Sequence, residues 1–117
     1  MRNYRLLVIT KNRTAQKFFW RTFSPYININ FYQAETVEKA KNLLAENHFK
    51  AIAVDCFFRN KSDPAIVELV RQIRKRFKGL ILAMSASESA NKELINAGCS
   101  EATIYKSEVP GRLIREL

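Results

Sequence analysis

Residues 51–55 of this chain read AIAVD, a short apolar run that ends in a carboxylate. Such a run predicts a buried strand, with Asp55 at its carboxyl end. In open parallel sheets, sites lie in the crevice outside the carboxyl ends of the strands. The only other aspartate, Asp63, falls in a loop just before a predicted helix. Asp55 is therefore the first candidate for a functional residue.

Strand-like and helix-like segments alternate along the rest of the chain. Apolar runs predict five strands, at 4–10, 27–31, 51–55, 80–85 and 102–106. Helical periodicity and end signals predict five helices, at about 12–23, 36–47, 62–77, 87–97 and 108–117. Asn12, Thr36 and Ser87 are the expected N-caps, and Gly98 is an expected C-cap. This alternation predicts an α/β domain with a parallel sheet covered on both faces.

The composition is that of one globular domain. The chain has 117 residues, of which 47% are hydrophobic and 26% charged, so it can bury a core and is not a disordered segment. Its apolar runs are too short to cross a membrane, and we expect no secretion signal. Cys56 and Cys99 form neither a Cys-x-x-Cys motif nor a disulfide framework, so we expect a cytoplasmic protein.

The formal net charge of +9 is the unusual part of the composition. One basic cluster precedes the first acidic residue, and a second lies at the end of the predicted third helix. The first comprises Arg2, Arg5, Lys11, Arg13, Lys17 and Arg21, and the second Arg71, Arg74, Lys75, Arg76 and Lys78. Nucleic-acid binders gather such clusters on one face, whereas these fall toward opposite ends of the predicted fold. We therefore expect no direct nucleic-acid binding and favour an acidic partner protein.

Polar residues at the predicted strand ends have a characteristic spacing. Asp55 follows Thr10 by 45 residues, and Ser85 follows Asp55 by 30 residues. Lys106 lies at the end of the predicted fifth strand, with MSA at 84–86 and AG at 97–98. In these features the chain resembles the CheY-like receiver domain of bacterial response regulators, over essentially all of 4–117.

The resemblance implies a fold, a role and partners. The fold is a flavodoxin-like three-layer sandwich formed by a single domain over 1–117, with a five-stranded parallel sheet in the order 2-1-3-4-5. The role is non-enzymatic signal transduction, with a histidine kinase or a downstream regulator as partner. The short final helix leaves open that the chain was cut from a longer regulator. A homodimer would use the fourth helix, fifth strand and fifth helix, a face that holds Lys92, Glu93, Tyr105, Arg112 and Arg115.

The likeness to receivers breaks where they bind magnesium. Receivers carry an acidic pair after the first strand, whereas Thr10 and Lys11 occupy those positions here. Magnesium prefers several oxygen ligands, typically with one or two carboxylates among them. Counting Asp55 as −1 and Lys11 and Lys106 as +1 each, the pocket would carry +1 before any metal bound. We therefore expect no bound cofactor, with magnesium binding weak or absent.

By this resemblance, Asp55 is expected in the phosphoacceptor position of a pocket formed by Thr10, Lys11, Ser85 and Lys106. We expect no set of metal ligands in this pocket. An ion pair from Lys11 or Lys106 to Asp55 would replace the metal and hold the pocket in one state. The alternative for Lys11 is a solvent-exposed side chain. The residues favour an atypical receiver that acts by protein–protein contact. A receiver that is phosphorylated on Asp55 in a histidine–aspartate relay is the alternative function.

Other switch features of receivers are altered as well. Thr103 stands where receivers have an aromatic residue, and Tyr105 directly precedes Lys106. Ser107 replaces a proline, and one extra residue before Lys106 leaves its register open. The loop at 56–60 lacks the usual Met-Pro pair and is about three residues longer than in receivers.

Two further function classes have less support from the residues. An enzyme would need more than the lone His48, which we expect at the surface, and neither a nucleophile elbow nor a phosphate loop is present. Cys56 is expected to fill space in the core. A small anion- or flavin-binding protein shares the topology, but residues 10–14 lack the glycine of a flavodoxin phosphate loop. Trp20 lies off the apolar stripe of its helix and is a candidate for a partner contact.

Overall fold

The computed structural model describes residues 3–117, so Met1 and Arg2, a member of the first basic cluster, lie outside the described part. Strands and helices alternate along these residues. The strands are Tyr4–Ile9 (β1), Ile29–Ala34 (β2), Ala51–Val54 (β3), Leu80–Ala83 (β4) and Glu101–Ala102 (β5). The helices are Arg13–Phe23 (α1), Val37–Glu46 (α2), Pro64–Arg76 (α3), Glu88–Ala97 (α4) and Val109–Ile114 (α5), the last preceded by a 3₁₀ turn at Lys106–Glu108.

The strands form one parallel sheet in the order β2-β1-β3-β4-β5. Helices α1 and α5 cover one face, and α2, α3 and α4 cover the other. β3 and β4 are buried at every position. Both faces of these strands meet helices, so each is a continuous apolar run and not an alternating one. The predicted flavodoxin-like fold and its strand order are confirmed.

Local capping chemistry sets the helix starts where the sequence predicted them. Asn12, Thr36 and Ser87 each accept a hydrogen bond from a backbone N–H in the first turn of α1, α2 and α4. Gly98 ends α4 with a φ of 140°, in the region that favours glycine. Among residues 3–117, no helix combines the length and the hydropathy that crossing a bilayer requires.

The second strand lies later in the chain than the expected 27–31. Ile27 is 80% exposed, and β2 begins at Ile29. The reason is a turn after α1, in which Tyr26 N–H donates to Phe23 O over 3.0 Å. Ile29 then packs on the α1 side of the sheet, with the partly buried Phe31 against the same cluster.

The fifth strand is shorter than the expected 102–106, and Lys106 is not part of it. Thr103 N–H still bonds to the neighbouring strand, at Ala83 O over 2.9 Å. Beyond it, Thr103 Oγ1 accepts from Tyr105 N–H over 3.1 Å, which turns the chain out of the sheet. The 3₁₀ turn follows, and α5 is only six residues long instead of spanning 108–117.

Candidate functional site

Parallel strands bring the predicted pocket residues to one edge of the sheet. Thr10 and Asp55 directly follow β1 and β3, whose last residues pair with each other. Ser85 lies two residues beyond β4, and Lys106 opens the 3₁₀ turn after β5. This edge is the crevice outside the carboxyl ends of the strands, where α/β proteins carry their sites.

Asp55 is held by two hydrogen-bond donors and one cation of its own chain. Thr10 Oγ1 donates to Oδ2 over 3.1 Å, and the backbone N–H of Cys56 donates to Oδ1 over 2.8 Å. Lys106 Nζ lies 3.5 Å from Oδ2 as an ion pair and also donates to Met84 O over 3.1 Å. The Asp55 side chain keeps 14% of its surface in contact with solvent. Both carboxylate oxygens are therefore already engaged, as a mostly buried charge requires.

Lys11 makes no ion pair with Asp55, so of the two alternative partners it is Lys106 that pairs with the carboxylate. Lys11 Nζ lies 5.5 Å from the ring centroid of Phe57 and 6.0 Å from that of Phe58. Ammonium groups are attracted to aromatic faces at such distances. Of the two alternatives for Lys11, the exposed side chain is the one observed, and it lies beside the two aromatic rings of the neighbouring loop.

That loop, between β3 and α3, folds as a small hairpin. Phe57 and Ser62 form an antiparallel bridge, and Asp63 N–H donates to Cys56 O over 2.8 Å. Phe57 has a φ of 71°, a left-handed conformation that costs a non-glycine residue about 1–3 kcal/mol. The hairpin contacts compensate this strain and hold the aromatic rings beside Lys11.

Within the described residues, Ser85 makes no hydrogen bond to Asp55. Its Oγ lies 3.1 Å from Cys56 Sγ and accepts from Ser87 N–H over 3.0 Å. The side-chain amide of Asn91 bonds both the N–H and the C=O of Ser85, over 2.9 and 3.0 Å, and also donates to Thr103 O over 3.1 Å. Asn91 is 4% exposed and was not among the sequence-based candidates. The sequence did contain a signal for Asn91, because it is a polar residue between Ala90 and Leu94 on the buried face of α4.

Cys56 is a buried residue, as expected of a core filler. It is 2% exposed, and Sγ donates to Phe58 O over 2.8 Å. Burial raises the pKa of the Cys56 thiol, and the Asp55 charge acts in the same direction. The thiol is therefore a weak nucleophile at neutral pH.

The donor set at this edge does not fit a magnesium ion. Asp55 is the carboxylate at the ends of β1 and β3, and both of its oxygens accept hydrogen bonds or contact Lys106. Within residues 3–117, no group of three His, Cys, Asp or Glu side chains could hold a metal. Magnesium also dehydrates reluctantly and requires a near-octahedral set of oxygens. A single, already neutralised carboxylate does not supply that set.

The face expected to form a homodimer carries ion pairs within the chain. Arg112 lies 3.3 Å from carboxylate oxygens of both Glu101 and Glu108, and Arg115 lies 3.0 Å from Glu101. Tyr105 is 59% exposed. A dimer through α4, β5 and α5 stays a prediction, and it would have to form around these internal pairs.

Two surface positions agree with their sequence-based expectations. Trp20 is 59% exposed on α1, and His48 is exposed between α2 and β3. Within the described residues, neither Arg13 nor Lys17, which neighbour Trp20 on the helix, forms an ion pair. The outer face of α1 therefore combines an aromatic side chain with uncompensated positive charge.

Comparison with known proteins finds similarity in structure only. No protein-family model matches the sequence, and no curated protein matches it. The signal receiver domain of an HD domain-containing protein from Pseudomonas fluorescens superposes with a TM-score of 0.80 at 14% identity, covering 100% of this chain and 88% of that one. The Thermotoga maritima response regulator TrrA, in complex with magnesium and BeF, gives 0.76 at 16% identity, with 97% and 99% covered.

A third solved structure contains a partner. The receiver domain of the Saccharomyces cerevisiae response regulator Ssk1, crystallised with the histidine phosphotransfer protein Ypd1, gives a TM-score of 0.69 at 20% identity, with 96% and 87% covered. Identities this low carry the fold and not the site chemistry. From its strand order, its helix layers and these superpositions, the chain has the CheY-like fold of response regulator receiver domains.

Proposed function

We propose that this chain is an atypical receiver that serves signal transduction by binding a partner protein, without magnesium-dependent phosphorylation of Asp55. The observation that carries the proposal is the state of the Asp55 carboxylate. Thr10, the Cys56 N–H and Lys106 already engage it, and the two residues that follow β1, Thr10 and Lys11, are not acidic. Phosphoryl transfer relies on positioning and on neutralising the phosphoryl oxygens, for which receivers use magnesium. Here the residues that follow β1 are Thr10 and Lys11, so they add no carboxylate to Asp55 for a magnesium ion.

The surroundings of Ser85 support the same proposal. In a responsive receiver, we expect the hydroxyl at this position to be free to move toward a phosphoryl group on the aspartate. Ser85 instead contacts Cys56, and the Asn91 amide holds its backbone on both sides. Thr103 is buried where receivers have their switch aromatic. These contacts favour one fixed conformation of the pocket.

The outer face of α1 supports a protein as the partner. Trp20 is exposed beside Arg13 and Lys17, which complements an acidic surface. The complex of Ssk1 with Ypd1 shows that a domain of this fold can bind another protein. Both cysteines are free and buried, in accord with the reducing cytoplasm that we propose as the location.

The test is the intact-protein mass after incubation with acetyl phosphate, with and without magnesium. The samples are the wild type, Asp55→Asn and Asp63→Asn. Asp63 is the only other aspartate, and asparagine caps a helix about as well as aspartate, so Asp63→Asn is a matched control that keeps α3 intact. We expect no phosphoryl addition to any of the three proteins in either condition.

Two outcomes would contradict this expectation. Magnesium-dependent addition to the wild type and to Asp63→Asn, but not to Asp55→Asn, would establish an ordinary phosphoacceptor. Addition without magnesium, again lost in Asp55→Asn, would mean that protein cations replace the metal. Either result would make the phosphorylatable receiver the function.

That second function has one favourable observation. Thr10 and Lys106 place a hydroxyl and an ammonium at the same oxygen of Asp55, within 3.1 and 3.5 Å. Donors so placed could neutralise part of a phosphoryl group's charge. They do not bridge the donor and acceptor as a metal does, so the binding module remains the better-supported function.

A further inference from the structure

A cavity lies between α2 and α3, at the opposite end of β3 from Asp55. It has a volume of about 720 Å³, and we call it the α2–α3 groove. Its larger apolar lining residues are Leu44, Phe49, Ile52, Leu69, Ile73 and Phe77. The residues come from α2, α3, the start of β3 and the loop between α2 and β3. The groove is therefore separate from the crevice around Asp55.

Positive charge lies at the rim of the groove. Lys41 on α2 and Arg76 at the end of α3 both line it, and none of its described lining residues is acidic. Within residues 3–117, neither Lys41 nor Arg76 belongs to an ion pair. The ends of α2 and α3 contribute about half a negative elementary charge each. Two full positive charges exceed that opposing field, so the rim favours an anion.

The volume and the lining of the groove fit a small molecule. Small-molecule pockets typically have volumes of about 300–1,000 Å³ with mostly apolar linings and a few polar groups. The volume and the lining both favour a small molecule.

We propose that the α2–α3 groove binds a small amphipathic organic anion. Its apolar body lies against Leu44 and Ile73, and its acidic group lies between Lys41 and Arg76. This site makes no use of Asp55 and goes beyond the proposed function, so either proposal can fail without the other.

The experiment is a fluorescence titration with two probes that share an aromatic body. Anilinonaphthalene sulfonate carries an acidic group, and N-phenylnaphthylamine does not. We expect saturable binding of the sulfonate to the wild type with one site per chain. The double variant Lys41→Glu/Arg76→Glu should weaken sulfonate binding at least about fivefold and leave the neutral probe within about twofold.

The matched control reverses two charges on the same helices outside the groove. Lys39→Glu/Lys75→Glu changes the net charge by the same amount, and neither residue lines the cavity. It should leave the binding of both probes within about twofold of wild type. Ala45→Trp fills the groove from α2, and Gln72→Trp fills it from α3. Both positions are exposed, and each substitution should abolish binding of both probes while circular dichroism stays unchanged.

Three results would overturn the proposal. No saturable binding to the wild type would remove the site. If both charge-reversal variants lost the same sulfonate affinity, the sulfonate would be attracted by the net positive charge of the protein and not by Lys41 and Arg76. Unchanged binding in both folded tryptophan variants would place the probe elsewhere. Binding of an acidic helical peptide, with neither probe bound, would instead make the groove a peptide site.

Discussion

At the scale of single residues, burial decides the chemistry of the cysteines. Cys99 is 4% exposed, and burial raises its thiol pKa from 9.0 to about 12, although the positive charge of Arg74 acts in the opposite direction. Because the folded pKa is raised, the unfolded thiol loses its proton first. The associated stability is complete below pH 9 and is lost as the pH rises toward about 12.

We therefore predict that Cys99→Ala reduces the alkaline loss of stability. Between pH 9 and about 12, the wild type should lose about 1.4 kcal/mol more per pH unit than the variant. Urea unfolding across this range measures the difference, and comparison with the variant cancels the titration of tyrosines and lysines. Below pH 9, the variant should differ from the wild type only by a constant offset. Parallel stability curves over the whole range would mean that the folded thiol titrates normally.

At the scale of secondary structure elements, Asn91 connects α4 to the loop after β4 and to the end of β5. Its amide makes three hydrogen bonds with buried backbone groups of Ser85 and Thr103. We predict that Asn91→Ala lowers the free energy of unfolding by at least about 3 kcal/mol, because three buried groups lose their partner. Asn96→Ala is the matched control on the exposed face of the same helix, and it should change stability by less than about 0.5 kcal/mol. Urea denaturation of both variants checks this, and equal small effects would contradict it.

At the scale of the whole molecule, the distribution of charge opposes a divalent cation. The chain carries +9, Lys106 pairs with Asp55, and the residues that follow β1 are Thr10 and Lys11 and not carboxylates. We predict that Thr10→Asp/Lys11→Asp introduces a magnesium site, since it supplies two carboxylates beside Asp55. The change lowers the net charge from +9 to +6, because the first substitution contributes −1 and the second −2. Magnesium should raise the melting temperature of this variant and leave that of the wild type unchanged at matched ionic strength.

The control for that prediction carries the same charge change outside the pocket. Thr14→Asp/Lys17→Asp replaces the same residue types at exposed positions of α1. It should show no response to magnesium. Without metal, the pocket variant should melt below the control, because Thr10 is buried and a new carboxylate there would repel Asp55. A magnesium response of the wild type would refute the charge argument.

Several features of the molecule follow from local sequence. Asn12, Thr36 and Ser87 start helices because their side chains bond N–H groups within the next turn, and Gly98 ends one because it tolerates a positive φ. The uninterrupted apolar runs of β3 and β4 indicated strands buried on both faces. The position of Asp55 at the mouth of the sheet follows from the same pattern. These signals all act over a few residues.

The sequence by itself thus determined the fold, the strand order implied by the resemblance, and the edge of the sheet where the candidate site lies. Only the tertiary structure decided that Lys106 and not Lys11 pairs with Asp55, and that Asn91 fixes Ser85. It also decided the early end of β5, where the Thr103 side chain captures a backbone N–H. The physical reason is distance along the chain. Helix caps and strand patterns depend on residues that are close in the sequence. The partner of a long side chain depends on how loops from distant parts of the chain are placed in the fold.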